Sequence, residues 1–244
     1  MSFARLLRRP SQRLGSTVKT LLLWDIDGTL IASGGAGMTA MRVALQRVFG
    51  VDGSIEDIEF AGRTDRWIAR RVFEKFSIAV TEENFTRYFE GYVAVLPEEL
   101  ARAGASARVL KGVLPLLNAV AMAPDVSQGL LTGNLRRGAE TKLKHHGLWK
   151  YFPFGAFADD HELRDHLGPH ALQRAVAHTG ITFPRKRTWV IGDTPHDIAC
   201  GKIIGARTLA VATGSHTAAQ LAEHQPDAVL PDLADTNEFW NIVG

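Results

Sequence analysis

The chain has 244 residues, and 28 Lys and Arg against 26 Asp and Glu leave a formal net charge of +2. So even a balance gives no reason to expect a nucleic-acid partner. No apolar run reaches the roughly 18 residues that span a membrane, and the single cysteine, Cys200, excludes an internal disulfide or a Cys-rich zinc site.

Residues 1–19 stand apart. They hold Arg5, Arg8, Arg9, Arg13 and Lys19 with no acid, together with Ser2, Ser11, Ser16 and Pro10. They read as a basic N-terminal tail, either disordered or an organelle-targeting segment. No apolar stretch follows that would make them a secretory signal. The lone thiol fits a reducing, cytoplasmic setting.

Leu21–Trp24 is a continuous apolar run, the pattern of a strand covered on both faces. It stops abruptly at Asp25-Ile26-Asp27-Gly28-Thr29. Two carboxylates at the end of a buried strand repel each other and need a compensating partner. A divalent cation or a bound reactant would supply it. Gly28 lets the chain leave the strand tightly.

Residues 31–37, IASGGAG, read as a Gly-rich linker; without a following Gly-Lys-Ser/Thr they are no P-loop. Helices are predicted over residues 38–49, 64–76 and 82–96. Thr64 or Asp65 caps the second. The third carries Phe85, Tyr88, Phe89, Tyr92, Val93 and Leu96 at helical spacing, a packing stripe. Residues 32–108 therefore form a helical insert.

From Val109 onward strands and helices alternate. Strands are predicted at 126–131, 152–157, 188–192, 206–212 and 228–230. Helices are predicted at 113–122, 138–146, from near Pro169, after Thr194-Pro195, and up to His224. The remainder is a C-terminal end with Trp240 docked on the body. This alternation argues a doubly wound parallel sheet of α/β class. Three strand ends carry chemistry: Asp25 and Asp27, then Thr132-Gly133-Asn134, then Asp193 with Asp197 four residues on. A hydroxyl followed by glycine at a strand end presents Oγ and N–H groups to a phosphate. In parallel sheets ligands bind at the carboxyl ends of the strands.

DIDGTL (25–30), TGN (132–134) and GDTPHD (192–197), in that order, resemble the motifs of the haloacid dehalogenase-like phosphohydrolases. Residues 61–65, AGRTD, resemble a cap segment of the phosphoglycolate-phosphatase-like subgroup. The resemblance implies a Rossmann-like core of residues 20–31 and 109–244, with residues 32–108 as a small helical cap. It implies Asp25 as nucleophile, Asp27 as general acid/base and Thr132 as the phosphate hydroxyl, beside Gly28, Gly133 and Asn134. Mg2+ would be held by Asp25, Asp193 and a backbone carbonyl near Asp27, with Asp197 in support. Arg63 is either a substrate contact or a surface arginine.

The family's lysine, often followed by proline, is missing between 159 and 169. Arg164 stands in the right place, and a guanidinium can bridge carboxylate and phosphate; Lys142 and Lys144 are the alternatives. The implied activity is magnesium-dependent hydrolysis of a small phosphorylated metabolite through an aspartyl-phosphate. The substrate is phosphoglycolate, another small anionic monoester or a sugar phosphate. A phosphomutase and a non-catalytic binding module of the same fold are the competing readings.

Overall fold

The computed structural model describes residues 19–244, so the basic-tail reading lies outside the described residues apart from Lys19. In chain order the elements are β1 Thr20–Trp24, β2 Ile31–Ser33, α1 Ala36–Phe49, α2 Asp65–Lys75, α3 Glu82–Ala103 and β3 Ala107–Val109. There follow α4 Val113–Met122, β4 Val126–Leu131, α5 Arg136–His145, β5 Gly155–Ala156, α6 Leu167–Thr179 and β6 Thr188–Gly192. The chain ends with α7 Pro195–Ile203, β7 Arg207–Val211, α8 Ala218–Glu223, β8 Ala228–Leu230 and α9 Thr236–Val243.

Six strands form one parallel sheet in the order β5-β4-β1-β6-β7-β8. The apolar run of β1 is continuous because both of its faces are covered. Leu22 and Trp24 point to one face, where they join Leu116, Leu117 and Val120 of α4, Leu143 of α5 and Phe239 of α9. Leu21 and Leu23 point to the other, against Leu167, Ala171 and Ala175 of α6 and Cys200 of α7. This is the two-residue alternation of a strand. Strand order reverses around β1: β4 lies on one side and β6 on the other. The crevice at their carboxyl ends is where such sheets take ligands.

A second apolar cluster is built from α1, α2 and α3, with Met41, Leu45, Ile68, Phe73, Tyr88 and Leu96 buried in it. Thr64 caps α2 by accepting from the Trp67 N–H at 3.1 Å. Among the described residues, no helix is long and apolar enough to cross a membrane.

Several boundaries differ from expectation. The linker read over 31–37 contains β2, which pairs antiparallel with β3 through Ile31–Val109, Ala32–Arg108 and Ser33–Ala107. Three residues whose partner comes from the far end of the insert leave no local signal. α3 runs past the predicted end at 96 to Ala103 with Pro97 inside it, since Leu100 continues the buried stripe. β5 is two residues long, because Phe154 and its neighbours Phe152 and Phe157 pack on opposite faces of the sheet. The C-terminal end is the helix α9, seated by Phe239 stacked on Trp24 with ring centroids 5.7 Å apart.

That stack joins the last helix to the central strand, and both rings are fully buried. Phe239→Ala should therefore destabilise the protein by about 3–5 kcal/mol, read as a shifted midpoint in urea unfolding.

Candidate active site

The loop after β1 is a tight reversal in which the N–H groups of Thr29, Leu30 and Ile31 all turn to Ile26 O. Gly28 sits in it at φ +79°, and a side chain there would strike the Asp193 carboxylate. Glycine is thus required twice over, by the backbone and by the close approach. The reversal presents Asp25 and Asp27 in different directions.

Asp25 faces Arg164, whose Nη2 lies 3.0 Å from Asp25 Oδ1 and also contacts Asp197 Oδ1. Arg164 stands on a short turn ahead of α6 and is almost wholly buried. Asp193 follows β6 and accepts from Thr29 Oγ1 at 3.1 Å. Asp197 lies in the first turn of α7 and closes a capping box with Thr194. Asp25, Asp193 and Asp197 each offer an oxygen within 4.8 Å of the others.

Like charges about 4 Å apart repel by about 4 kcal/mol at an effective dielectric near 20. Three such pairs outnumber the two contacts that Arg164 makes. Burial, with the repulsion of Asp197 added and Arg164 opposing, pushes the Asp25 carboxyl up to about 6. Burial, then Asp197 and Asp25, push Asp193 up to about 8. Arg164, held between two acids, is driven further above its already high range against the effect of burial. The cluster is short of positive charge, and its donors are all oxygens. That set suits Mg2+, which takes oxygen ligands.

Asp27 is turned away from this triad. Lys142 Nζ donates to Asp27 Oδ2 at 2.7 Å, Asn134 Nδ2 at 2.9 Å, and Ser33 Oγ donates to Oδ1. Burial works against its charge, but Lys142 and these three hydrogen bonds outweigh it and hold the carboxyl below the usual range. Its side chain is still 37 % exposed. Lys142 also donates to Asn134 Oδ1 at 2.6 Å. Lys144 pairs instead with Glu140 on the surface, away from the site. Two cations therefore serve the two aspartates: Arg164 serves Asp25, and Lys142 serves Asp27.

Thr132 is fully buried at the end of β4. Its Oγ1 accepts from Asn134 N at 3.3 Å and Nδ2 at 2.8 Å. Gly133 and Asn134 line the cavity; Thr132 lies just behind them. Any side chain on Gly133 would strike the carbonyl of Arg63, and the Asp65 N–H donates to Gly133 O at 2.7 Å. The helical insert is thereby seated on the sheet. Arg70 Nε and Nη2 add bonds of 2.5 and 2.6 Å to Glu162 across the same junction. Arg63 lines the cavity, but its guanidinium donates to Glu59 at 2.6 and 2.8 Å and lies 4.4 Å over the Trp67 ring.

The cavity between insert and sheet has a volume of about 320 Å³, in the range for a small ligand. Its core wall holds Asp25, Asp27, Lys142, Arg164 and Asp193; its other wall holds Met38, Met41, Asp65, Ile68 and Tyr92 from the insert. Ser33, Asp65 and Tyr92 were not picked out as site residues from the sequence. Lys142, one of three alternatives there, carried a signal: it falls on the buried stripe of α5 with Gly138, Ala139 and Leu143. A lysine on an apolar stripe needs a buried acid.

The sequence profile of the haloacid dehalogenase-like hydrolases matches residues 22–202, and the chain belongs to that family. It is similar to a protein named probable phosphatase IndB from Dickeya dadantii, 26% identical over 89% of this chain and 92% of that protein. It is likewise 26% identical to pyrophosphatase PpaX from Bacillus mycoides, over 88% of this chain and 93% of that protein. The fold is shared with the crystal structure of a predicted phosphoglycolate phosphatase from Haemophilus somnus, at a TM-score of 0.67 and 19% identity. That match covers 93% of this chain and all of the other.

In the metal-free protein the raised Asp25 and Asp193 set the sign of a pH effect. The unfolded chain ionises these acids near 3.8, the folded one only near 6 and 8. The folded state then binds more protons in between, so stability falls as pH rises from about 4 to about 8. Melting temperatures in EDTA should drop across that window, and added Mg2+ should raise them most at its upper end.

Proposed function

We propose that the protein is a magnesium-dependent phosphatase that hydrolyses a small phosphomonoester through an aspartyl-phosphate on Asp25. One observation carries this reading: Asp25, Asp193 and Asp197, from separate stretches of the chain, converge beside Arg164 at the strand-order reversal. The relatives named as phosphatases support it. So does the family's core motif set, with Arg164 standing where a lysine is usual.

Asp25, Asp193 and the backbone carbonyl of Asp27 would hold the metal, with Asp197 orienting Arg164 and Thr194 behind them. When bound, the ion neutralises phosphate oxygens next to an anionic nucleophile. The phosphate would lie against Gly28, Gly133 and Asn134; the Thr132 hydroxyl gives its proton to no acceptor among the described residues and would have to reach the phosphate from behind Asn134. Asp25 attacks phosphorus in line, and the P–O bond to the leaving alcohol breaks. Asp27, ionised in the free enzyme and open to solvent on one side, takes up a proton as the phosphorylated substrate binds, gives it to that alkoxide, and as a carboxylate again takes one from the water that hydrolyses the acyl phosphate. Lys142 keeps Asp27 ionised in the free enzyme, which readies it for the second step. The insert, seated by Arg70–Glu162 and Asp65–Gly133, keeps bulk water from the intermediate.

Asp25→Asn should abolish magnesium-dependent phosphate release from 4-nitrophenyl phosphate. Asp27→Asn should lower kcat by about 10²–10⁴-fold. Phosphate release that survives in Asp25→Asn would overturn the covalent route. Rapid acid quench with labelled substrate should trap phosphate on wild-type protein.

A further inference from the structure

The leaving group of the substrate would meet the insert-borne wall of the cavity, and that wall has an unusual composition. Tyr92 lines the cavity, is fully buried, and its hydroxyl makes no hydrogen bond among the described residues. A neighbouring aromatic on the same helix, Tyr88, donates to Met41 O at 3.0 Å. The Tyr92 hydroxyl thus differs from an ordinary packed tyrosine, since buried hydroxyls are otherwise paired. Beside it is Asp65, also buried, whose Oδ2 accepts one bond, from Leu135 N–H at 2.7 Å. A methyl group placed on Gly138 would lie 3.4 Å from Tyr92 Oη and 3.7 Å from Asp65 Oδ2, so the two polar atoms border one spot. A methyl group on Gly37 would lie 4.0 Å from Tyr92 Oη and 3.5 Å from Lys142 Nζ, which ties this spot to the Asp27 side of the site.

The cations nearby are committed. Lys142 donates to Asp27 and Asn134, Arg164 is held by Asp25 and Asp197, and Arg63 is paired with Glu59. Of the four carboxylates that line the cavity, Asp25 and Asp193 belong to the candidate metal cluster and Asp27 is held by Lys142, whereas Asp65 has no ion pair among the described residues. A second anionic group on the substrate would meet Asp65 with no free cation among the described residues to receive it. An alcohol would satisfy both groups, donating to Asp65 and pairing with Tyr92 Oη. Met38, Met41 and Ile68 supply an apolar wall for its carbon skeleton.

We propose that Tyr92 and Asp65 select a leaving group that bears a hydroxyl and no negative charge, so that the substrate class is phosphorylated small polyols. Phosphoglycolate and pyrophosphate, whose leaving groups are anionic, are rejected. This rests on the phosphatase reading above, and it replaces the preference for a small anionic monoester that the motif resemblance suggested.

The test compares kcat/KM for glycerol 1-phosphate, 2-phosphoglycolate, pyrophosphate and 4-nitrophenyl phosphate on the magnesium-loaded enzyme. Wild type should favour glycerol 1-phosphate over both anionic substrates by about tenfold or more. Asp65→Asn, which keeps an acceptor for Leu135 N–H, should narrow the gap to phosphoglycolate by about tenfold. Tyr92→Phe removes a hydroxyl that bonds nothing in the fold, so folding is retained. It should raise KM for glycerol 1-phosphate and lower the ratio of its kcat/KM to that of 4-nitrophenyl phosphate. Turnover of 4-nitrophenyl phosphate with phosphoglycolate or pyrophosphate preferred to glycerol 1-phosphate overturns the proposal and leaves the phosphatase reading standing. So do unchanged ratios in both variants. No magnesium-dependent release from any of the four overturns both.

Discussion

The structure depends on a shortage of positive charge at one place. Three acids are brought to the carboxyl ends of β1 and β6, and one buried guanidinium, that of Arg164, is shared between two of them. Nothing in the packing of the strands requires this. A parallel sheet covered on both faces is stable with apolar residues at its ends. Burying carboxylates costs free energy, and replacing such groups by apolar ones is often neutral or stabilising. Their presence is a functional expense met from the large apolar clusters on either face of β1.

The two aspartates of the first loop are made different by their surroundings. They stand two residues apart, yet Asp25 is raised and Asp27 is lowered. Asp25 is almost closed off and crowded by other acids; Asp27 has a lysine, an amide and a hydroxyl aimed at it. Surroundings that push two like groups in opposite directions let them take separate roles. The tight reversal at Gly28 makes the division possible by sending the two side chains to different neighbours.

The sheet was legible because its signals are local. β1 and β6 each announce themselves by an apolar run that ends in a polar or Gly-rich turn, and Thr194-Pro195 marks the start of α7 by its own capping chemistry. Asp25, Asp27 and Asp193 stood out because acids at the ends of such runs are costly. What escaped is non-local. The pairing of β2 with β3 joins segments from opposite ends of the insert. Asp65 was one of two candidate caps of its helix; Thr64 is the cap and Asp65 the first helical residue, and that Asp65 accepts from Leu135 N–H follows only from how the insert meets the sheet. Tyr92 sits in an apolar stripe, and helical spacing cannot tell a ring whose hydroxyl is paired, as that of Tyr88 is, from one whose buried hydroxyl is left unpaired beside a cavity.

The short ribbon of β2 and β3 has a mechanical meaning. The chain enters and leaves the helical insert through these two strands, so any swing of the insert must flex them. Ser33, which bonds Asp27, is the last residue of β2. Opening the insert would therefore pull on the hydroxyl that steadies Asp27. The ribbon that carries the insert and the carboxylate that Ser33 bonds are thus mechanically joined, so a strain on one reaches the other within three residues of chain.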